Sequence, residues 1–448
     1  MVQLMYDIRH GVLLLQRFGL ILLCLLAFAA DAAPNAALSE ARTNCLLSEM
    51  SAPEAAPNVN TSHSEYRARS YCWALIGNDG THLAEEAAAG IRSKVFSLSW
   101  REYAPSEGTV DLAYVERKRT ELAQLWQAGF GVILSLGFHD TPLWVHRNYA
   151  DTYYVNQFGE SYIGEGIDSG DANLVFNKSL HQLVAAYVGN VFADFGADFD
   201  AIRLGGGRYG ELMYPPTVYG NNRNCYWAFD RNALMQDPIP QWVPGQPSSA
   251  GEAQQFLSWY LDSLVEFQNW QITMVRQSYN GPLMMLYPSW GIRPGDIERA
   301  VAVNLDGSTA AEYHGEIPRG IDYTRQITAL TDPLVIPTTT WLDADASADD
   351  NADPRYWSPV KYLASLAQSH PLGLRLFGEN TGHGQVVALR LSALQMRRYG
   401  LIGMAWYREE ELFTGQYATL DDYRRVIAES NANCLLYLPH ITVCATCS

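Results

Sequence analysis

Short apolar runs alternate with longer stretches in which apolar residues recur every three to four positions, and the alternation holds from about residue 67 almost to the end of the chain. Eight runs have strand length: 70–76, 94–98, 131–136, 201–204, 283–287, 334–338, 373–377 and 401–405. Between them, 112–127, 174–195, 253–278, 356–369 and 386–399 carry the helical period. Strands alternating with helices in this way predict parallel βαβ units. Eight strands are the number that closes a barrel, so the expected fold is α/β, a (β/α)8 TIM barrel over residues 67–432. A chain of 448 residues suits one such barrel with loop insertions.

Polar and aromatic residues follow the apolar runs directly. Trp100 comes after the second, His139 and Trp144 after the third, and Arg208, Tyr209 and Glu211 after the fourth. Tyr287 closes the fifth run and Trp290 follows it, Trp341 follows the sixth, Glu379 and Asn380 the seventh, and Trp406 the eighth. In a parallel barrel these ends open onto one face, where barrel proteins place their sites. Glu211 and Glu379 are therefore the expected working pair, with Trp100, His139, Trp144, Arg208, Tyr209, Tyr287, Trp290, Trp341, Asn380 and Trp406 as candidate ligand contacts. Glu102, Glu107 and the run Glu409–Glu411 are competing acids, the last read as a solvated stretch. Tyr313, His314 and Asp343 also fall near strand ends.

The ends of the chain differ from its middle. Arg9 and Arg17 precede the apolar run Phe18–Ala30, and small residues follow, which predicts a signal peptide over 1–32 and export. The run is shorter than the roughly 20 residues that span a bilayer, so no stable membrane insertion is expected once the leader is removed. Residues 33–66, rich in Ala, Ser, Asn and Pro, read as a linker, and 433–448 as a cysteine-containing tail. With Cys24 in the leader, Cys45, Cys72, Cys225, Cys434, Cys444 and Cys447 form an even set able to make disulfides outside the cell. The net charge of −17 argues against nucleic acid as a partner. No metal-ligand spacing or phosphate loop occurs, so no cofactor is expected. The 12 Trp and 26 Tyr suit a neutral ligand with flat faces as well as a core.

Two segments carry the sharpest signal. Arg203-Leu-Gly-Gly-Gly-Arg-Tyr-Gly-Glu211-Leu-Met-Tyr-Pro runs a strand into a glycine turn that presents one carboxylate. Gly373-Leu-Arg-Leu-Phe-Gly-Glu379-Asn does the same at the seventh strand. Two carboxylates across one mouth can supply an acid and a nucleophile or base to a glycosidic bond. The segments around Trp100, Pro105-Ser-Glu-Gly108 and Pro142-Leu-Trp144 resemble clan A glycoside hydrolases, above all the family 42 β-galactosidase-like barrel. Gly210-Glu211-Leu-Met-Tyr-Pro is similar to the proton-donor run of family 14 β-amylases. The resemblance departs at Gly210, where clan A enzymes carry Asn. It implies a secreted glycosidase acting on an oligo- or polysaccharide through Glu211 and Glu379. An inverting α-glucan hydrolase and a non-catalytic carbohydrate-binding barrel are the alternatives.

Overall fold

In the computed structural model the described residues are 72–77, 80–164, 170–221, 223–306, 315–382, 384–430 and the backbone of 435–438 and 441–444. The expected leader 1–32, the linker 33–66, Cys45, Cys434, Cys447, Tyr313 and His314 lie outside them.

The elements alternate as strand and helix. They are β1 (Trp73–Ile76), α1 (Leu83–Ala89), β2 (Ser93–Ser97), α2 (Leu112–Gln127), β3 (Gly131–Ser135), α3 (His181–Phe195), β4 (Ala201–Leu204) and α4 (Glu252–Arg276). There follow β5 (Leu283–Tyr287), α5 (Tyr323–Thr328), β6 (Val335–Thr339), α6 (Pro359–Ser369), β7 (Phe377–Glu379), α7 (Val386–Arg398), β8 (Met404–Tyr407) and α8 (Leu420–Glu429). All eight strands pair in parallel and in chain order, and β8 closes on β1 with Trp73 opposite Met404. The chain is thus a closed (β/α)8 barrel. A hairpin of β9 (Leu435–Leu438) and β10 (Ile441–Cys444) follows it. Among the described residues no helix is long and apolar enough to cross a membrane.

The helices start where local chemistry starts them. Asp111 caps α2 by accepting from the amides of Ala113 and Tyr114, and Ser358 caps α6 with Pro359 in the first turn, where its missing N–H costs nothing. Thr419 and Asp422 form a reciprocal capping box on α8.

Strand parity then sorts the core into two shells. Ala74, Ile76, Val95, Ile133, Ala201, Met284, Leu286, Ile336, Phe377 and Ala405 fill the barrel interior. Their strand neighbours, among them Leu75, Phe96, Leu134, Ile202, Tyr287 and Trp406, pack outward in the larger cluster that includes helix residues. Two strands sit later in the chain than the sequence pattern suggests. The seventh begins at Phe377 rather than at Gly373, and the eighth at Met404 rather than at Leu401. Gly373 has φ 58, a left-handed turn that delays β7.

One outward-facing position on β2 is charged. Lys94, fully buried, donates to Glu86 of α1 at 2.8 Å and lies 3.0 Å from Glu409, just past β8. Glu409 and Glu411 are 2% and 8% exposed, so the expected solvated run is buried at both ends. Burial first, then the neighbouring Glu86 carboxyl, pushes Glu409 up to about 8.

Candidate active site

A cavity of about 940 Å³ occupies the C-terminal mouth of the barrel, at the upper end of the range for small-ligand sites. Its floor is the inward row of strand ends, Ile76, Ser97, Ser135, Arg203, Leu286 and Glu379. Loops after the strands build its walls.

Glu211 reaches the cavity through the glycine loop. Gly205, Gly206 and Gly207 bring the chain back on itself so closely that a Cβ on Gly205 would lie 2.2 Å from the carbonyl oxygen of Gly210. The Gly207 amide donates to the Glu211 carbonyl at 2.8 Å, and the Gln271 side-chain amide bonds both backbone groups of Gly205. Gly210 has φ 77, and a Cβ there would sit 3.2 Å from the His139 ring. The positive φ and the close ring both favour glycine at this position. Thr340 holds the carboxylate, its hydroxyl donating to Glu211 Oε1 at 2.5 Å. Burial raises Glu211 to about 7. Thr340 opposes that rise, the charge on Glu379 adds to it, and Arg319 and Arg203 oppose it.

Glu379 is the last residue of β7 and points inward in register with Ala405. Its side chain is 15% exposed, and Arg203 Nη2 donates to its Oε2 at 2.5 Å. Burial raises the Glu379 carboxyl and Arg203 pulls it back. Arg203 comes from the inward face of β4, across the barrel. The two carboxylates thus differ in their partners: Glu211 is tied to a neutral hydroxyl, Glu379 to a permanent cation. That difference favours a proton on Glu211 and a charge on Glu379.

Of the residues picked from the sequence, Glu211, Glu379, His139, Tyr209, Trp290, Trp341 and Asn380 line the cavity. Burial holds the His139 imidazole below its ordinary value; the adjacent Asp140 acts against this, while the cations Arg203 and Arg208 add to the lowering. Asn380 spends its amide on the backbone, donating to the Tyr407 carbonyl and accepting from the Tyr407 amide. The other five do not line the cavity. Trp100 is buried against Tyr187 and Trp144, and Trp144 donates to the Ala104 carbonyl. Tyr287 faces outward and donates to Gln268. Trp406, expected as a ligand contact, packs in the outer shell beside Tyr423 because β8 puts Ala405 and Tyr407 on the inner parity. Arg208 lies beside the rings of Tyr209 and Tyr219.

Sequence reasoning missed Arg203, Thr340, Arg319, Tyr407 and Arg408, which all line the cavity. For Arg203 a signal existed, since it is a cation on the inward parity of an apolar strand. Asp343 also lines the mouth, but both of its oxygens accept from Thr381 and so brace the loop after β7. Cys225 is a buried free thiol and leaves the expected even set of cysteines. No group of His, Cys, Asp and Glu among the described residues could hold a metal ion.

Fold and mouth together define a (β/α)8 barrel with two unlike, buried carboxylates facing one cavity. No family model matches the chain, and no curated protein matches its sequence. Solved structures do resemble it. The catalytic domain of β-amylase from Paenibacillus polymyxa superposes with a TM-score of 0.62 at 17% identity, covering 80% of this chain and 98% of that one. A GH42 β-galactosidase from G. stearothermophilus gives 0.50 at 11% identity, covering 80% of this chain and 56% of that one. At these identities the likeness establishes the eight-stranded barrel fold alone.

Proposed function

We propose that the protein is a glycoside hydrolase in which Glu211 is the proton donor and Glu379 the ionised partner. The observation that carries this reading is the unequal bonding of the two carboxylates within one cavity, Thr340 on Glu211 and Arg203 on Glu379. Glycosidic cleavage needs that inequality: the leaving oxygen takes a proton from the neutral acid while a carboxylate attacks the anomeric carbon or activates water. The barrel shared with known glycosidases supports the reading.

Between the two substrate classes of the structural neighbours, the run Gly210-Glu211-Leu-Met-Tyr-Pro, with glycine before the acid, favours an α-glucan over a β-galactoside. Export behind the leader 1–32 remains part of the proposal.

Glu211→Gln and Glu379→Gln should each lower kcat by about 10²–10⁴ while leaving the melting temperature and saccharide binding nearly unchanged. If either variant kept more than about a tenth of wild-type turnover, the pairing would be wrong.

A further inference from the structure

The rim of the cavity carries a feature that the two carboxylates do not require. Tyr209, two residues before Glu211, has φ 61 and ψ 15, a left-handed conformation that is costly for a residue with a bulky Cβ substituent. Burial does not offset that cost, because Tyr209 is 63% exposed. Its ring is nevertheless backed: the Arg208 guanidinium lies 4.8 Å from the ring centroid and 5.9 Å from that of Tyr219. Pro216 and Val218, the latter 58% exposed, line the same cavity from the same loop.

We propose that Tyr209, with Pro216 and Val218, forms a subsite that stacks the departing sugar ring, so that the substrate is an oligosaccharide or polysaccharide chain rather than a glycoside with a small leaving group. This rests on Glu211 being the acid. The acid must reach the oxygen between the sugar that is retained and the one that leaves. Glu379 comes from β7 across the barrel and faces the retained sugar, so the loop that carries Glu211 borders the departing one. A pyranose presents C–H groups on its face and hydroxyls at its edge, which suits a phenol ring that is apolar on its face and polar at its tip.

The test is calorimetric titration of full-length E211Q, alone and combined with Tyr209→Gly or Tyr209→Trp, against α-1,4-linked glucose and β-1,4-galactose oligomers of two to five units. Glycine accepts the positive φ, so the backbone keeps its course while the ring is lost; tryptophan keeps a ring. The glycine variant should bind the longer oligomers about tenfold more weakly with monosaccharide binding unchanged, and the tryptophan variant should recover most of the loss. Equal affinity for the oligomers with and without the ring would overturn the subsite, as would no oligomer binding to E211Q at all. Hydrolysis by the wild type is read separately. Its absence, alongside ring-dependent oligomer binding, would overturn the acid assignment and leave the stacking site standing as a binding site.

Discussion

Replacing Thr340 by Val keeps the side-chain shape and removes the hydroxyl that donates to Glu211 Oε1 at 2.5 Å. That hydroxyl stabilises the carboxylate form, so its loss must raise Glu211 above its present value of about 7. A hydrogen bond to a charged group contributes roughly 1.5–3 kcal/mol, and one pKa unit corresponds to about 1.4 kcal/mol. The carboxyl should therefore move up by about one to two units. If Glu211 is the proton donor, as proposed, activity requires the neutral form and falls as pH rises through its pKa. The basic limb of kcat/KM should then shift from near pH 7 in the wild type to about pH 8–9 in T340V. The assay is kcat/KM against pH with an oligosaccharide substrate, paired with a carboxyl titration by NMR on ¹³C-labelled glutamate. The same titration in E379Q should show Glu211 lowered, since the like charge that opposes its ionisation is gone. A basic limb that stays in place or moves to lower pH in T340V would refute the account of how Glu211 is tuned.

Three further predictions concern stability. Gly210→Ala places a Cβ 3.2 Å from the His139 ring at φ 77; it should cost about 1–3 kcal/mol, lower the melting temperature by several degrees and reduce kcat through displacement of Glu211, and a variant that melts and turns over like the wild type would show that the loop tolerates the residue. Glu409 titrates in the folded protein at about 8, above its ordinary value, so its contribution to stability is complete below roughly pH 4 and is lost as pH rises through 8. Urea midpoints should fall between those limits in the wild type, and Glu409→Gln should flatten the slope; a slope that persists in the variant would assign it to another group. Lys94→Met leaves Glu86 buried without its cation and should cost about 3–5 kcal/mol by urea unfolding.

The fold was legible because its signals are local. A run of four or five apolar residues bounded by turns reads as a buried strand in any barrel, and α2 is predicted and found over the same residues, Leu112–Gln127. Glu211 and Glu379 were legible for a related reason: each follows its own strand within a few residues, and parallel strands open at one end. Trp406 shows where that reasoning stops. A strand reverses the facing of every side chain when its phase is misjudged by one residue, and β8 begins later than its apolar run, so an expected ligand contact became an outer-shell contact with Tyr423. Trp100 and Trp144 were misplaced differently, since tryptophan suits a core as well as a rim and the packing of Tyr187 against Trp100 decides between them.

By itself the sequence determined the barrel, the face on which the cavity opens and the two acids that enter it, because strand order and chain direction follow from patterns within a few tens of residues. The tertiary structure decided what surrounds those acids. Arg203 meets Glu379 across 176 positions of chain and Thr340 meets Glu211 across 129, pairings that only barrel closure creates. The surroundings of each acid therefore belong to the closed barrel, since burial and these partners bear on which form of a carboxyl is stable.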